Sequence, residues 1–153
     1  LAHVDLLAAN RDEAAALAGI SAERPAEEIV GAAIEAARSA CASIALSITA
    51  GREGSWSWDG SRLSHAPAHR VPVVGTAGAG DAHLGGILVG LAAGLGLAEA
   101  QELGALVAAM SVTSPHTINK AVDGPSLAAF AATLAAPLCA AVSSLLGLPS
   151  RPF

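Results

Sequence analysis

The chain has 153 residues, enough for one domain or a large piece of one, and 53 % of them are hydrophobic. This composition excludes an intrinsically disordered protein, because the chain holds ample apolar surface to bury. The formal net charge of −5 and the scattered basic residues argue against nucleic acid as the main partner.

The first half of the chain alternates short strand-like runs with helical ones, which is typical of α/β proteins. Val4–Ala8 is predicted to be a strand, and Arg11–Ala18 a helix that ends at Gly19. A second helix begins near Pro25, and a second strand spans Ile44–Thr49. The pattern then predicts a hairpin and a further strand: Ser55–Asp59, a turn at Asp59–Gly60, Arg62–His65, and finally Val71–Val74.

The second half of the chain becomes helical after Gly78, and the predicted helices are Ala82–Gly94, Ala98–Ser111 and Pro125–Leu134. The stretch Leu127–Ser150 carries no charge and is long enough to cross a bilayer. It consists mostly of Ala and Ser and contains Pro137, so a buried helix or an apolar tail is favoured over a membrane span. Cys41 and Cys139 lie in apolar surroundings and are predicted to be free thiols in a reducing compartment.

A glycine-rich loop at the start of this helical half is the most informative segment. Gly75, Gly78 and Gly80 follow the apolar run before them, and Asp81 lies in the first turn of the next helix. Small residues leave backbone N–H groups uncovered, and the helix N-terminus adds partial positive charge, so the loop predicts a phosphate site. Two interpretations of Asp81 remain open at this point: it accepts a proton from an attacking hydroxyl, or it caps its helix.

Three motifs in the same chain order resemble those of the ribokinase, or PfkB, family of carbohydrate kinases. Thr76-Ala-Gly-Ala-Gly-Asp81 is similar to the family signature in which Gly-Ala-Gly-Asp begins a helix. Asn10-Arg-Asp-Glu13 is similar to the Asn-x-x-Glu motif, and Thr49-Ala-Gly-Arg-Glu-Gly54 to the Thr-x-Gly-x-x-Gly nucleotide-binding turn. The resemblance implies a three-layer α/β/α ribokinase-like fold, carboxy-terminal portion, with a small β-hairpin.

The resemblance also implies a role for each matching residue. Asp81 corresponds to the catalytic base. The anion hole for the transferring γ-phosphoryl group corresponds to the loop of Gly78, Ala79 and Gly80 and to the backbone amide of Asp81. ATP would be held by residues of the Thr-x-Gly-x-x-Gly and Asn-x-x-Glu motifs: Thr49, Gly51, Gly54 and Asn10. Glu13, together with Asn10, would organise Mg²⁺ through water. A purely structural role would also explain these residue types: Asn10 as the cap of its helix, Glu13 as an ordinary exposed helix residue, and the glycines as turn residues.

The implied activity is a kinase that moves the ATP γ-phosphoryl group to an alcohol group of a sugar or nucleoside. Residues 1–135 would be the carboxy-terminal part of the kinase domain, and residues 136–153 an apolar tail. The family's substrate platform would lie upstream of Leu1, so the alternative is a nucleotide- or phosphate-binding fragment without activity of its own. The expected compartment is the cytoplasm, and a homodimer of the full-length protein is left open.

Two departures from the family pattern concern a monovalent cation. Gly75 stands where the family usually has Asp, and Ala77 where it often has Thr. In several members this region contributes to a monovalent-cation site, so the departures argue against activation by potassium.

Overall fold

The computed structural model describes residues 3–149, which form two compact units, one ending at Pro67 and one beginning at Ala68. The elements of the first unit are β1 (Leu6–Asn10), α1 (Arg11–Ala18), α2 (Ala26–Ala40), β2 (Ala45–Thr49), a short 3₁₀ turn (Gly51–Glu53), β3 (Ser55–Trp58) and β4 (Leu63–Ala66). The elements of the second unit are α3 (Ala79–Ala92), α4 (Leu97–Val112), α5 (Gly124–Thr133) and α6 (Ala140–Leu145).

The four strands of the first unit form one mixed sheet in the order β1-β2-β3-β4. β1 and β2 are parallel and are joined through the two helices α1 and α2, as a βαβ-type connection requires. β3 and β4 are antiparallel to their neighbours and form the predicted hairpin. Asp59 Oδ1 stabilises that hairpin turn by accepting hydrogen bonds from the amides of Ser61 (2.8 Å) and Arg62 (2.7 Å). The α/β class and the hairpin are therefore confirmed.

The two faces of the sheet bury different kinds of side chain, because successive residues of a strand point to opposite faces. One face carries Leu46, Ile48 and Trp56, which belong to a core cluster with the apolar side of α2, including Ile29 and Ala33. The other face carries buried serines and an alanine: Ser47, Ser55, Ser57 and Ala66. The two middle strands, β2 and β3, thus carry buried residues on both faces.

In the second unit, α3 and α4 pack so closely that glycine is needed at their contact. A Cβ atom at Gly86 would lie 2.7 Å from the Cα of Gly104, and one at Gly90 would lie 2.9 Å from the Cα of Ala100. Two leucines of α4, Leu103 and Leu106, form a second core cluster with residues of the last two helices, including Leu127 and Val142.

Residues 127–149 of the uncharged stretch contribute to two helices, α5 and α6, rather than to one long helix. Between residues 3 and 149, no helix combines the length and the hydropathy that a membrane span needs. Val142 of α6 is fully buried, so this part of the predicted tail packs into the second unit. Residues 150–153 of that tail lie outside the described residues, and the domain boundary at residue 135 stays a prediction.

Two predicted elements differ from the structure near the glycine loop. Val71–Val74 is not a strand: the N–H of Val74 donates to the carbonyl of Val112 at the end of α4 (2.8 Å). The side chains of Val73 and Val74 are 62 % and 59 % exposed, so the apolar run that predicted a buried strand lies on the surface of its unit. The following helix begins at Ala79, three residues earlier than predicted, because the left-handed Gly78 (φ 80°) allows the chain to enter it there.

Candidate active site

The first group of predicted site residues lies at the carboxyl ends of β1 and β2. Asn10 and Thr49 are the last residues of these parallel strands and are register partners. After Asn10 the chain enters α1, and after Thr49 it enters the 3₁₀ turn that contains Gly51. Parallel strands direct their carboxyl ends to the same sheet edge, which is where open α/β sheets bind ligands. The fold therefore brings together the two motifs that the sequence places 39 positions apart along the chain (49 − 10).

Asn10 and Glu13 form a capping box at the start of α1. The Asn10 side-chain oxygen accepts from the N–H of Glu13 (2.9 Å), and Glu13 Oε2 accepts from the N–H of Asn10 (2.9 Å). Local folding thus accounts for both residue types. Both residues are exposed, and the second carboxylate oxygen of Glu13 is not used in the box. Such a donor set suits Mg²⁺, which keeps most of its waters and needs only one or two carboxylates.

The described residues contain no group of three or more His, Cys, Asp or Glu side chains that could hold a metal ion. The structure therefore offers no closed all-protein metal cage between residues 3 and 149. A magnesium ion at the Asn10–Glu13 position would be held mainly by water and by phosphate oxygens of a bound nucleotide.

Gly51 and Gly54 are required by the geometry of the turn itself. Both have left-handed backbone angles, with φ 56° at Gly51 and φ 95° at Gly54. A Cβ atom at Gly54 would also collide with the carbonyl oxygen of Ala66 in β4. The turn is closed by its own backbone, since the N–H of Gly54 donates to the carbonyl of Gly51 (3.1 Å). These glycines explain the shape of the turn and do not by themselves indicate a nucleotide.

The second group of predicted site residues forms the amino-terminal turn of α3. Gly78 is the N-cap, and Ala79, Gly80 and Asp81 are the first three helical residues. The first amides of a helix lack intrahelical partners and carry the positive end of the helix dipole. A Cβ atom at Gly78 would collide with the carbonyl oxygen of Thr117, so this glycine is required by packing within the second unit.

Gly80 differs from the other site glycines, because nothing in the fold requires it. Its φ is not in the left-handed region, and a Cβ atom there would meet no heavy atom within 4 Å. Glycine in a helix is less stable than alanine by roughly 0.5–1 kcal/mol. Gly85 of the same helix shares these features, so a ligand role for Gly80 depends on its place in the first turn, where backbone amides lack intrahelical partners.

The structure also bears on the two interpretations of Asp81. The N-cap of α3 is Gly78, and no side chain makes a capping hydrogen bond there. Asp81 is exposed at the same turn. The helix-cap interpretation is therefore not supported by the geometry, and the Asp81 carboxylate remains available to an incoming group.

His83 lies two residues after Asp81 in α3 and differs from it in its environment. Its side chain is only 4 % exposed, and burial lowers the pKa of its imidazole to about 4. The ring is therefore neutral at pH 7. His83 packs against α4, since a Cβ atom on Gly104 would lie 3.3 Å from the His83 ring. We assign His83 to the α3–α4 packing rather than to chemistry.

Sequence reasoning missed one further pair of residues at the carboxyl ends of β1 and β2, which are the first site. Arg11 and Glu53 occupy variable positions of the two motifs, and their side chains form an ion pair of 2.7 Å. The two residues are 42 positions apart, so only the register of β1 and β2 shows that they meet. A pair of opposite charges in two adjacent motifs was the one available hint.

The fold is that of ribokinase-like kinases. Ribokinase from Thermotoga maritima has a TM-score of 0.68 and 25 % identity, covering 84 % of this chain and 42 % of that one. Aminoimidazole riboside kinase from Salmonella enterica, solved with aminoimidazole riboside and an ATP analogue, has a TM-score of 0.69 and 28 % identity over the same shares, 84 % and 42 %.

Sequence comparison identifies the family. The pattern of the pfkB family carbohydrate kinases matches residues 1–123, and the chain belongs to that family. The uncharacterized sugar kinase YegV of Escherichia coli (strain K12) is 48 % identical over 61 residues, which cover 40 % of this chain and 19 % of that protein. The chain thus matches about a fifth of this curated relative's length and about two fifths of each structural relative.

Proposed function

We propose that this chain carries the nucleotide and phosphoryl-transfer part of a kinase that moves the γ-phosphoryl group of ATP to a hydroxyl of a sugar or nucleoside. The observation that carries the proposal is the first turn of α3, where Gly80 is open and Asp81 is exposed without a capping bond. Membership of the pfkB carbohydrate kinases supports ATP as the phosphoryl donor. The named relatives, a sugar kinase and a riboside kinase, support the acceptor class.

In the proposed reaction, Asp81 accepts the proton of the acceptor hydroxyl. The acceptor oxygen then forms a bond to the γ-phosphorus while the bond from that phosphorus to the ADP oxygen breaks, and ADP leaves. The N–H of Ala79 already donates to the carbonyl of Thr76 (3.2 Å). The backbone N–H groups of Gly80 and Asp81, in the first turn of α3, would stabilise the charge that spreads over the phosphoryl oxygens. Positioning and electrostatic stabilisation account for most of the rate in such transfers.

The first site, at the carboxyl ends of β1 and β2, would bind nucleotide. Thr49 and the 3₁₀ turn ending at Gly54 would contact its phosphates and ribose, and Asn10 and Glu13 would hold magnesium through water. A bound Mg²⁺ would neutralise negative charge on the phosphate oxygens. Exposure of Asn10 and Glu13 at the carboxyl edge of the sheet supports this assignment.

The test is the Asp81→Asn variant, which keeps the size of the side chain and removes its basicity. We expect loss of acceptor-dependent ATP consumption by about 10²–10⁴-fold, the usual contribution of a general base. Binding of Mg·ATP, measured by calorimetry, should remain. A panel of sugars and nucleosides would provide the acceptors.

One result would contradict the proposal, and a second would favour the alternative. Near-wild-type turnover by Asp81→Asn would show that Asp81 is not the base. Binding of Mg·ATP by the unmodified chain without turnover of any acceptor would instead support the alternative of a binding fragment that lacks its own activity.

A further inference from the structure

The ion pair between Arg11 and Glu53 connects the two motifs of the first site. Arg11 lies between Asn10 and Glu13 at the start of α1, and Glu53 lies between Gly51 and Gly54 in the 3₁₀ turn. Arg11 Nη1 donates to Glu53 Oε1 at 2.7 Å. The two side chains are 30 % and 44 % exposed, so the pair is partly shielded from water. Arg11 also donates to two backbone carbonyls, and ion pairs that belong to a network are those that contribute measurably.

Arg11 uses all three of its guanidinium nitrogens. Besides the bond to Glu53, Nε donates to the carbonyl of Ala22 (3.2 Å) and Nη2 donates to the carbonyl of Arg24 (2.6 Å). The planar guanidinium group therefore fixes the loop between α1 and α2 and the 3₁₀ turn at the same time. A lysine has one ammonium group and cannot reproduce this arrangement of donors.

Glu53 is held from its other side as well. His65 Nε2 of β4 donates to the backbone carbonyl of Glu53 (2.8 Å), and the His65 ring packs against Trp56 with 4.4 Å between ring centroids. The turn is thus anchored to the hairpin through its backbone and to α1 through its side chain. Of these two anchors, only the Arg11 contact joins the turn to the segment that carries Asn10 and Glu13.

From this geometry we infer that Arg11 is a positioning residue, which acts through Glu53 to fix the 3₁₀ turn relative to the Asn10–Glu13 segment. The inference rests on the proposed function, in which the turn holds nucleotide phosphates and the Asn10–Glu13 segment holds Mg²⁺. A magnesium ion bound to a nucleotide phosphate must contact the Asn10–Glu13 segment while the phosphate contacts the 3₁₀ turn. The distance between the segment and the turn therefore controls how much Mg²⁺ increases the affinity for ATP.

The chain offers a matched control in a second ion pair. Arg24 Nη1 and Glu28 Oε2 are 3.0 Å apart, but these side chains are 57 % and 53 % exposed and lie four residues apart at the start of α2. Such a local surface pair contributes little, and it joins no motif to another. Arg24→Gln and Glu28→Gln therefore remove comparable charges without the proposed effect.

The experiment measures the dissociation constant of ATP by calorimetry with Mg²⁺ and with a chelator, for the unmodified chain, Arg11→Gln, Arg11→Lys, Glu53→Gln and the double variant Arg11→Gln/Glu53→Gln. We expect Arg11→Gln and Glu53→Gln to weaken Mg·ATP binding roughly threefold to tenfold. Binding without Mg²⁺ should change less. The double variant should be little worse than either single one, because both remove the same contact. Arg11→Lys should lie between Arg11→Gln and the unmodified chain.

The Mg²⁺ dependence separates positioning from general stability. A residue with only a structural role would lower the melting temperature without changing the ratio of the two dissociation constants. Glu53→Gln keeps the Arg11 bonds to Ala22 and Arg24, so it tests the inference even if Arg11→Gln folds poorly. If the unmodified chain binds Mg·ATP and Glu53→Gln leaves the ratio unchanged, the positioning role is overturned and the proposed function stands. If the unmodified chain does not bind Mg·ATP, both are overturned.

Discussion

Replacing Gly80 with alanine separates a folding role from a ligand role at the first turn of α3. Gly80 is exposed, its backbone is in a conformation open to any residue, and an added Cβ would meet no atom within 4 Å. The added methyl group would therefore not clash with any other part of the protein. The only consequence for folding is the higher helix propensity of alanine.

The expected change in stability follows from the difference in helix propensity between alanine and glycine. Alanine favours a helix over glycine by about 0.8–1 kcal/mol in a helix interior, and by less in a first turn such as that of Gly80. For a protein of this size, about 1 kcal/mol corresponds to a rise in melting temperature of roughly 2–4 °C. We therefore expect Gly80→Ala to be at least as stable as the unmodified chain.

The expected change in binding has the opposite sign. If the proposed phosphate site is correct, a methyl group at residue 80 would hinder the approach of a phosphoryl group to the amides of the helix N-terminus. Hydrogen bonds to charged groups contribute about 1.5–3 kcal/mol each, so losing one good contact should weaken Mg·ATP binding by roughly 10- to 100-fold. The predicted combination is a more stable protein that binds less nucleotide.

Gly85 provides the control on the same helix. It is exposed, and an added Cβ would again meet nothing within 4 Å, but it lies beyond the first turn. Gly85→Ala should raise the free energy of unfolding by about 1 kcal/mol and leave nucleotide binding unchanged. Urea unfolding and calorimetric titration with Mg·ATP measure the two quantities. Unchanged binding by Gly80→Ala would refute the assignment of this turn as the phosphate site.

Two further predictions concern His83 and Asn10. Burial holds the folded-state pKa of His83 near 4, below the unfolded value of 6.5, so the unfolded chain binds more protons between these two pH values. Stability should fall by up to about 3 kcal/mol as the pH drops from 6.5 towards 4, and His83→Gln should flatten the slope in urea unfolding at pH 7, 6 and 5. Burial also lowers the pKa of His69, so some slope should remain; an unaltered slope would count against the His83 account. Asn10→Ala should cost about 1 kcal/mol of stability by removing the cap, whereas Asn10→Ser should keep most of it. If Asn10 also serves magnesium, Asn10→Ser should raise the Mg²⁺ concentration needed for ATP binding; an unchanged requirement would leave Asn10 as a cap alone.

The sequence alone determined the elements whose limits depend on near neighbours. α1 begins and ends where Asn10 and Gly19 predict, because capping involves residues three or four positions apart. The hairpin at Asp59–Gly60 is equally local, since Asp59 bonds the amides two and three residues later. The order of the three motifs also pointed to the pfkB family, which the comparisons confirm.

The tertiary structure decided the features that depend on distant contacts. Val71–Val74 has the composition of a buried strand, but its backbone bonds the end of α4 instead of a neighbouring strand. Gly78 must be glycine because a Cβ atom there would collide with the carbonyl oxygen of Thr117, and as the N-cap it starts α3 without a side-chain capping bond. Residue types and their spacing along the chain do not predict such contacts, because each contact depends on which segments are neighbours in the folded chain. The meeting of Arg11 with Glu53 across the ends of two parallel strands has the same origin.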